Sequence, residues 1–544
     1  MTNPLQPRPK QDGRHTPNLW PVWLVAPGAL LLVGAAAFGL YHGAELLLSS
    51  EATGKKPVGV QDVIKTTVTV LTLIGAVLAA LYAYRKQLLD EGTSHRADAT
   101  QLTERYTKAA EQLGHEQAAV RLAGVYAMAR LADDWPEQRQ VCVDVLCAYL
   151  RMPYETDTTA PAFRHGEREV RLTIIRIIRD HLQDPTATNT WCGHNLDFTG
   201  ATFDGGDFSR SNFSGGRVSF RRSTFSSGEI DFGLSKFSGG LVDFGGSTYS
   251  GGQVDFSHST YSGGGVYFSG SAFSGGQVYF SGSAFSGGQV YFSGSAFSGG
   301  QVYFSGSTYS GGQVHFSGST YSGGEVDFNG SAFSGGRVSF NSSAYTSGGV
   351  RFSDSTYSGG QVSFGGSTYS GGQVNFSYST YSGGEVDFGG SAYTSGEVDF
   401  SQSTYSGGGV SFNDSTFSGG QVSFSRSRFS GAEVEFDGST YSGGQVSFNG
   451  SAFSGGPVDF SYSTYSGGQV SFNVSTYSGG QVNFSHSTYS LGQVNFSHST
   501  FSGGQVSFDG STYSGDTVSF EYLRIQPAAA IRWGPFPAIP VNEP

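Results

Sequence analysis

The chain is short of what most folded proteins use to hold themselves together. It has three cysteines in 544 residues, Cys142, Cys147 and Cys192. No disulfide framework can staple it, and so little cysteine suits a reducing compartment. Cys142 and Cys147 stand five apart in a helical pattern, which is poor metal-ligand spacing, and they are read as buried thiols. Charge is scarce too, at 14% of residues with a net of −12. The deficit of basic residues lies in 196–523, where 22 Asp/Glu face 9 Lys/Arg. That balance argues against binding nucleic acid through its phosphates and is compatible with docking to a basic surface. No Gly-rich loop is followed by Lys-Ser/Thr, and no G-x-S-x-G elbow stands between a strand and a helix. Trp191-Cys192-Gly193-His194 is a single Cys/His pair without the second pair a zinc site needs, and is read as a hinge. No catalytic, cofactor-binding or metal residue is assigned, no cofactor is expected, and the chain is read as not an enzyme.

What the chain has in excess is glycine, 82 residues, with 43 Phe and 29 Tyr. They are ordered. From Phe213 to Phe520 a twelve-residue unit repeats twenty-six times without insertion or deletion. An aromatic recurs every twelfth residue to Tyr513, Val or Ile230 follows five later, and Phe two after that. A Gly/Ser linker has no reason to keep aromatics in phase, and a unit this short cannot bury its own apolar residues, so the units must stack. In the unit Ser247–His258, alternation puts Ser247, Tyr249, Val254 and Phe256 inside, with Thr248, Ser250, Gln253 and Asp255 outside. The Gly251-Gly252 pair is read as the turn between two strands. Ser257-His258 closes the unit.

Two coils fit. In one, each unit is a full coil of two parallel sheets, with Tyr249 facing Val254 and Ser247 facing Phe256. In the other, two units make a four-sided coil of 24 residues. The first is preferred here, because neighbouring units share outward residues such as Tyr267, Tyr279, Tyr291 and Tyr303 and nothing alternates with period 24. At a strand spacing of about 4.8 Å the two give rods of roughly 120 Å and 60 Å. His258, His486 and His498 fall at the turn site and His315 at an outward site, so all four are read as surface residues. Sixteen units carry Thr-Tyr/Phe-Ser. The outward hydroxyls resemble the Thr rows of twelve-residue insect antifreeze solenoids, although those hold Cys inside; here they are read as solvated strand residues.

At the entrance the rhythm is five, not twelve: Phe198, Phe203, Phe208 and Phe213. Asn-Leu-Asp-Phe-Thr, Gly-Ala-Thr-Phe-Asp, Gly-Gly-Asp-Phe-Ser and Arg-Ser-Asn-Phe-Ser resemble the pentapeptide-repeat family, closely over 195–214 and as a twelve-residue variant to 523. The resemblance implies a right-handed β-solenoid and no catalytic residues.

Ahead of the repeats, residues 1–18 are a polar tail. Trp20 to Tyr41 is uncharged with aromatic ends, the pattern of a membrane span over 19–42. A loop over 43–62 leads to a second span, 63–85, followed by Arg85 and Lys86. The basic residues favour both termini, and the repeats, on the cytoplasmic side. Residues 86–190 read as an α-helical module, with Glu167 to Leu182 amphipathic and Arg168, Arg171, Arg176 and Arg179 on its polar side. Those arginines are read as a solvated face, with lipid headgroups or a partner as the alternatives. The module resembles the one between membrane spans and repeats in some bacterial membrane-bound pentapeptide-repeat proteins. The β-solenoid spans 195–523, and 524–544 is a cap and a Pro/Ala-rich tail.

The expectation is a non-enzymatic protein anchored in the membrane by two spans. Its acidic rod meets a protein partner or a second copy of itself, and it does not bind nucleic acid. The alternative is an inhibitor that mimics DNA, as some soluble pentapeptide-repeat proteins do against type II topoisomerases.

Overall fold

The computed structural model describes residues 60–514 and 518–538, with scattered positions between 28 and 46. The chain divides into two compact units, Met1–Lys108 and Ala109–Pro544. In the first, helix α1 begins; its bounds are Val60–Leu113. Thr67–Gln87 within it is long and apolar enough to cross a membrane, with mean hydropathy 1.9 and nothing buried. Thr69 and Thr72 sit in this apolar stretch because their hydroxyls donate back to the carbonyls of Lys65 and Val68, at 2.8 and 2.7 Å. The first expected span, 19–42, the tail before it and most of the loop after it fall outside the described residues.

The second unit opens with a small helical module: α2 (Ala118–Asp134), α3 (Arg139–Arg151) and α4 (Glu167–Leu182). Pro136 starts a 3-10 turn between α2 and α3, where its missing N–H costs nothing. Val125, Met128, Leu131, Leu146, Ile174 and Ile178 form the core. Gly124 lets helices cross closely, since a Cβ there would lie 2.7 Å from the backbone nitrogen of Leu113. Cys142 and Cys147 are buried free thiols, and burial pushes them up to about 11 and about 12.

From Leu196 to Arg532 the chain is a β-solenoid of about 14 turns. Its coil has 24 residues, not the preferred twelve. Thr248 and Tyr249 pair in parallel with Thr224 and Phe225 on one side and with Ala272 and Phe273 on the other. Gln253, Val254 and Asp255 pair with Gln277, Val278 and Tyr279. Successive units therefore alternate between two parallel sheets of 27 and 26 short strands. At about 4.8 Å per coil, fourteen coils reach roughly 65 Å.

The reason lies in the two turns. Every twelfth residue from Arg210 to Tyr522 has positive φ, including Gly246, His258 and Gly270; fifteen of these positions are not glycine. This is where the chain passes from one sheet to the other. The Gly-Gly pair, read above as the strand-to-strand turn, joins two strands of the same sheet; its φ is left-handed in some units, as at Gly216, Gly348 and Gly408, and outside that region in others, as at Gly275 and Gly276. Glycine is needed there for close stacking. A Cβ on Gly275 would sit 2.7 Å from the Ser250 carbonyl oxygen one coil below, and one on Gly288 would sit 2.7 Å from Cβ of Tyr261.

The inward set is as expected: Ser247, Tyr249, Val254 and Phe256 are all buried. Their partners are not the ones a twelve-residue coil would give. Phe256 meets Phe244 and Phe268 of the adjacent units edge to face, at 5.7 and 5.8 Å, and stacks on Phe232 and Phe280 of the adjacent coils, at 4.8 and 4.9 Å. Burying each ring is worth about 2–3 kcal/mol, and a well-placed aromatic neighbour adds about 1. Four aromatic columns run along the interior. Phe198, Phe203, Phe208 and Phe213 start one each, stacking on Phe220, Phe225, Phe232 and Phe237. Serine columns run beside them. The Ser247 hydroxyl donates to the Phe220 carbonyl at 2.8 Å and accepts from the Ser223 N–H at 3.1 Å, and the pattern repeats along the array. The polar atom is thereby satisfied on both sides, as burial requires.

Both ends are covered. Ile175 of α4 lies over Gly206 of the first coil, where a Cβ would come within 2.8 Å of Cδ1. Arg168 pairs with Asp204 at 3.1 Å, Arg179 pairs with Asp207, and Arg151 of α3 pairs with Asp197. The α4 arginines are thus not a solvated face. Arg168 and Arg179 dock the module on the solenoid, Arg176 donates to the Tyr126 hydroxyl at 3.0 Å, and Arg171 is buried. At the other end Ala530–Arg532 completes the last coil. Phe536 then packs against Tyr513 and Phe508 at 4.8 and 5.1 Å.

Candidate functional site

With the interior filled by aromatic rings and serines, function on the solenoid must use its outer faces. The 24-residue coil sorts outward residues that look equivalent in the sequence onto opposite sides. Tyr267, Tyr291 and His315 stack on one sheet, with ring centroids 4.8 and 4.7 Å apart. Tyr279 and Tyr303 stack on the other, at 4.9 Å. Beside them the amides of Gln253, Gln277 and Gln301 form a ladder, each Nε2 donating to the next Oε1 at 3.1 Å. The Tyr291 hydroxyl donates to Gln289 Oε1 at 2.7 Å, which ties the ring to the amide beside it. Part burial and the charge of Arg337 lower the pKa of His315, which keeps it neutral in the stack. The result is an uncharged aromatic and amide belt over 256–324, half-exposed on both faces.

The acidic positions flank this belt and are divided as well. Glu385 and Asp387 lie in one sheet, Glu397 and Asp399 in the other. Glu435 is raised by burial, with the Asn413 amide opposing and the Glu433 charge adding to the shift. The Thr rows are likewise split. The longest, Thr416, Thr440, Thr464, Thr488 and Thr512, runs down one sheet only. His258, His486 and His498 sit exposed at the left-handed turn site, at φ near 57–60°.

No protein-family model, curated protein or solved structure matches this chain. Its surface must be read from its own chemistry. Trp191 stacks on His181 at 4.2 Å, and His181 in turn reaches Asp133 at 3.1 Å. The Cys192 thiol donates to the Leu182 carbonyl at 3.3 Å. This motif ties the end of α4 to the first coil. Among the described residues no three His, Cys, Asp or Glu side chains gather as metal ligands would.

The buried guanidinium cluster of the helical module went unseen in the sequence. Arg121 and Arg171, 2% and 4% exposed, share the carboxylate of Glu167. Arg139 is also buried and is fully engaged by the carbonyls of Ala132, Thr188 and Thr190. Helical periodicity marked Arg171 only as polar. Its pairing with Glu167 is a local i,i+4 contact, but Leu150, Tyr154 and Arg121, which complete the cluster, are 21, 17 and 50 residues distant in the chain, and no local pattern reveals them.

Proposed function

We propose that the chain is a non-enzymatic, membrane-anchored repeat protein of pentapeptide-repeat type that presents its solenoid faces to a protein partner. The single observation that carries this reading is the uncharged Tyr/Gln belt at 265–315, part-exposed and rigidly laddered between acidic flanks. Aromatic and amide groups without charge are what the core of a protein interface selects. The covered ends support it, since capped sheet edges leave the side faces as the free surface. Thr67–Gln87 supplies a segment fit to be an anchor. Mimicry of DNA is less well supported, because the acidic residues fall on two opposite sheets and are missing over 256–324.

The test is affinity capture from membranes with two internal deletions, residues 260–355 and 356–451. Each removes four whole coils, so register and both caps survive. Loss of a partner with the first deletion and retention with the second is the expected result. Equal capture by both, or none by the intact chain, removes the reading.

A further inference from the structure

The helical module holds a cavity of about 530 Å³ at the buried guanidinium cluster. Its floor is Arg121, Tyr149 and Glu167, and its walls are apolar, from Leu113, Val145 and Met152. The charges on the floor do not balance. Glu167 Oε2 lies 3.1 Å from Nη2 of Arg121 and already accepts the Tyr149 hydroxyl at 3.0 Å. Its Oε1 lies 3.8 Å from Nη1 of Arg171, whose guanidinium rests 4.4 Å above the Tyr154 ring. Two buried cations therefore meet one buried carboxylate. Nη1 of Arg121 donates to the carbonyls of His115 and Glu116, Nη2 of Arg171 donates to that of Leu150, and Nη2 of Arg121 faces Glu167, but Nε of Arg121 and Nη1 of Arg171 have no hydrogen-bond acceptor among the described residues. An excess buried charge with unsatisfied donors is costly, and a bound counter-charge removes that cost. At the exposed side Arg164 adds a cation, while Glu155 is turned to the Asp157 N–H at 2.9 Å.

We propose that this cavity binds a small organic monoanion, a carboxylate on an apolar body, with the carboxylate on Arg121. One net positive charge calls for one negative charge. A planar carboxylate matches a guanidinium edge, and the apolar walls take the remainder of the molecule. A phosphate dianion would bring a second charge toward Glu167 and is the weaker fit.

The test is calorimetry on the full chain in nanodiscs with three probes: 4-phenylbutyrate, its neutral analogue 4-phenylbutanol, and inorganic phosphate. The expected result is one phenylbutyrate per chain, with the alcohol and phosphate each at least tenfold weaker. Ala110→Trp, which fills the cavity, is expected to abolish binding with the helical circular dichroism kept. Ala162→Trp, at the exposed mouth, lowers affinity without touching the packed helices and stands in if the first variant does not fold. The proposal is overturned if the alcohol binds as tightly as the acid, if phosphate binds more tightly than either, if the folded tryptophan variants bind unchanged, or if no probe binds at millimolar concentration. None of these outcomes bears on the partner reading of the solenoid.

Discussion

The solenoid and the helical module that covers its first coil solve the same problem, filling an interior, by opposite means. The solenoid interior is uncharged and periodic: Phe, Tyr and Val in columns, with serines whose hydroxyls close onto the backbone. The module interior is aperiodic and holds Arg121, Arg139, Glu167 and Arg171. A column can be extended one coil at a time because every contact is repeated. A buried ion cluster cannot, since each charge must find its own partners. Among the described residues, buried charge is thus confined to the module, while the solenoid interior holds none.

The two interiors should differ most at alkaline pH. Burial raises the phenols of the interior tyrosines, from Tyr249 to Tyr489, well above their ordinary value. A folded value above the unfolded one means stability that is complete below about pH 10 and is lost as pH rises beyond it. Among the described residues, fourteen such hydroxyls without a hydrogen-bond partner line the solenoid. In the module, the raised phenols include Tyr149 and Tyr154. Absorbance of ionised tyrosine and circular dichroism followed together should show the β signal collapsing in one cooperative step above pH 10, with helical signal persisting after it. Smooth ionisation with the β signal intact would mean that the solenoid interior tolerates charge.

Next come two truncations of similar size and different reach. Phe364→Ala removes a ring stacked at 4.7 Å on both Phe340 and Phe388, and should cost about 3–5 kcal/mol, read as faster amide exchange in the coils on either side. Glu167→Ala leaves two buried guanidiniums without their carboxylate and should cost about 3–5 kcal/mol. That loss should appear in the fluorescence of the buried Trp191, with exchange in distant coils unchanged.

A smaller effect tests the sheet-to-sheet turn. Val474 holds φ 60° on a β-branched, exposed side chain. Val474→Gly should stabilise by about 1 kcal/mol, and Gly270→Val at the equivalent turn should destabilise by about as much, both measured by denaturant unfolding. The smallest is Tyr381→Phe. Its hydroxyl is buried with no protein partner, so its removal should be neutral or stabilising by up to about 1 kcal/mol in the same measurement.

The sequence carried the repeat, its inward set and the existence of end caps, because a twelve-residue period with an invariant Phe has one efficient way to bury its rings. The coil size was not legible from the units, which are nearly identical, so a structural period of two units leaves no mark in them. Two signals did exist. The four pentapeptide-spaced Phe at 198–213 begin four columns, which implies four sides. The turn site tolerates Leu234 and Val474, but the Gly-Gly site is rarely anything else, and that separates a turn from a stacking constraint. The docking role of Arg168 and Arg179 was hidden for a different reason. Their carboxylate partners, Asp204 and Asp207, are 36 and 28 residues away, in the first coil.

A distance between two spin labels on one row measures the 24-residue coil. Thr260 and Thr380 are exposed, belong to the same sheet and are five coils apart. Labelled as Thr260→Cys and Thr380→Cys in a Cys192→Ser background, they should give an electron–electron distance of about 24 Å at ~4.8 Å per coil. A distance of about 48 Å would mean one unit per coil and would rule out the four-sided coil.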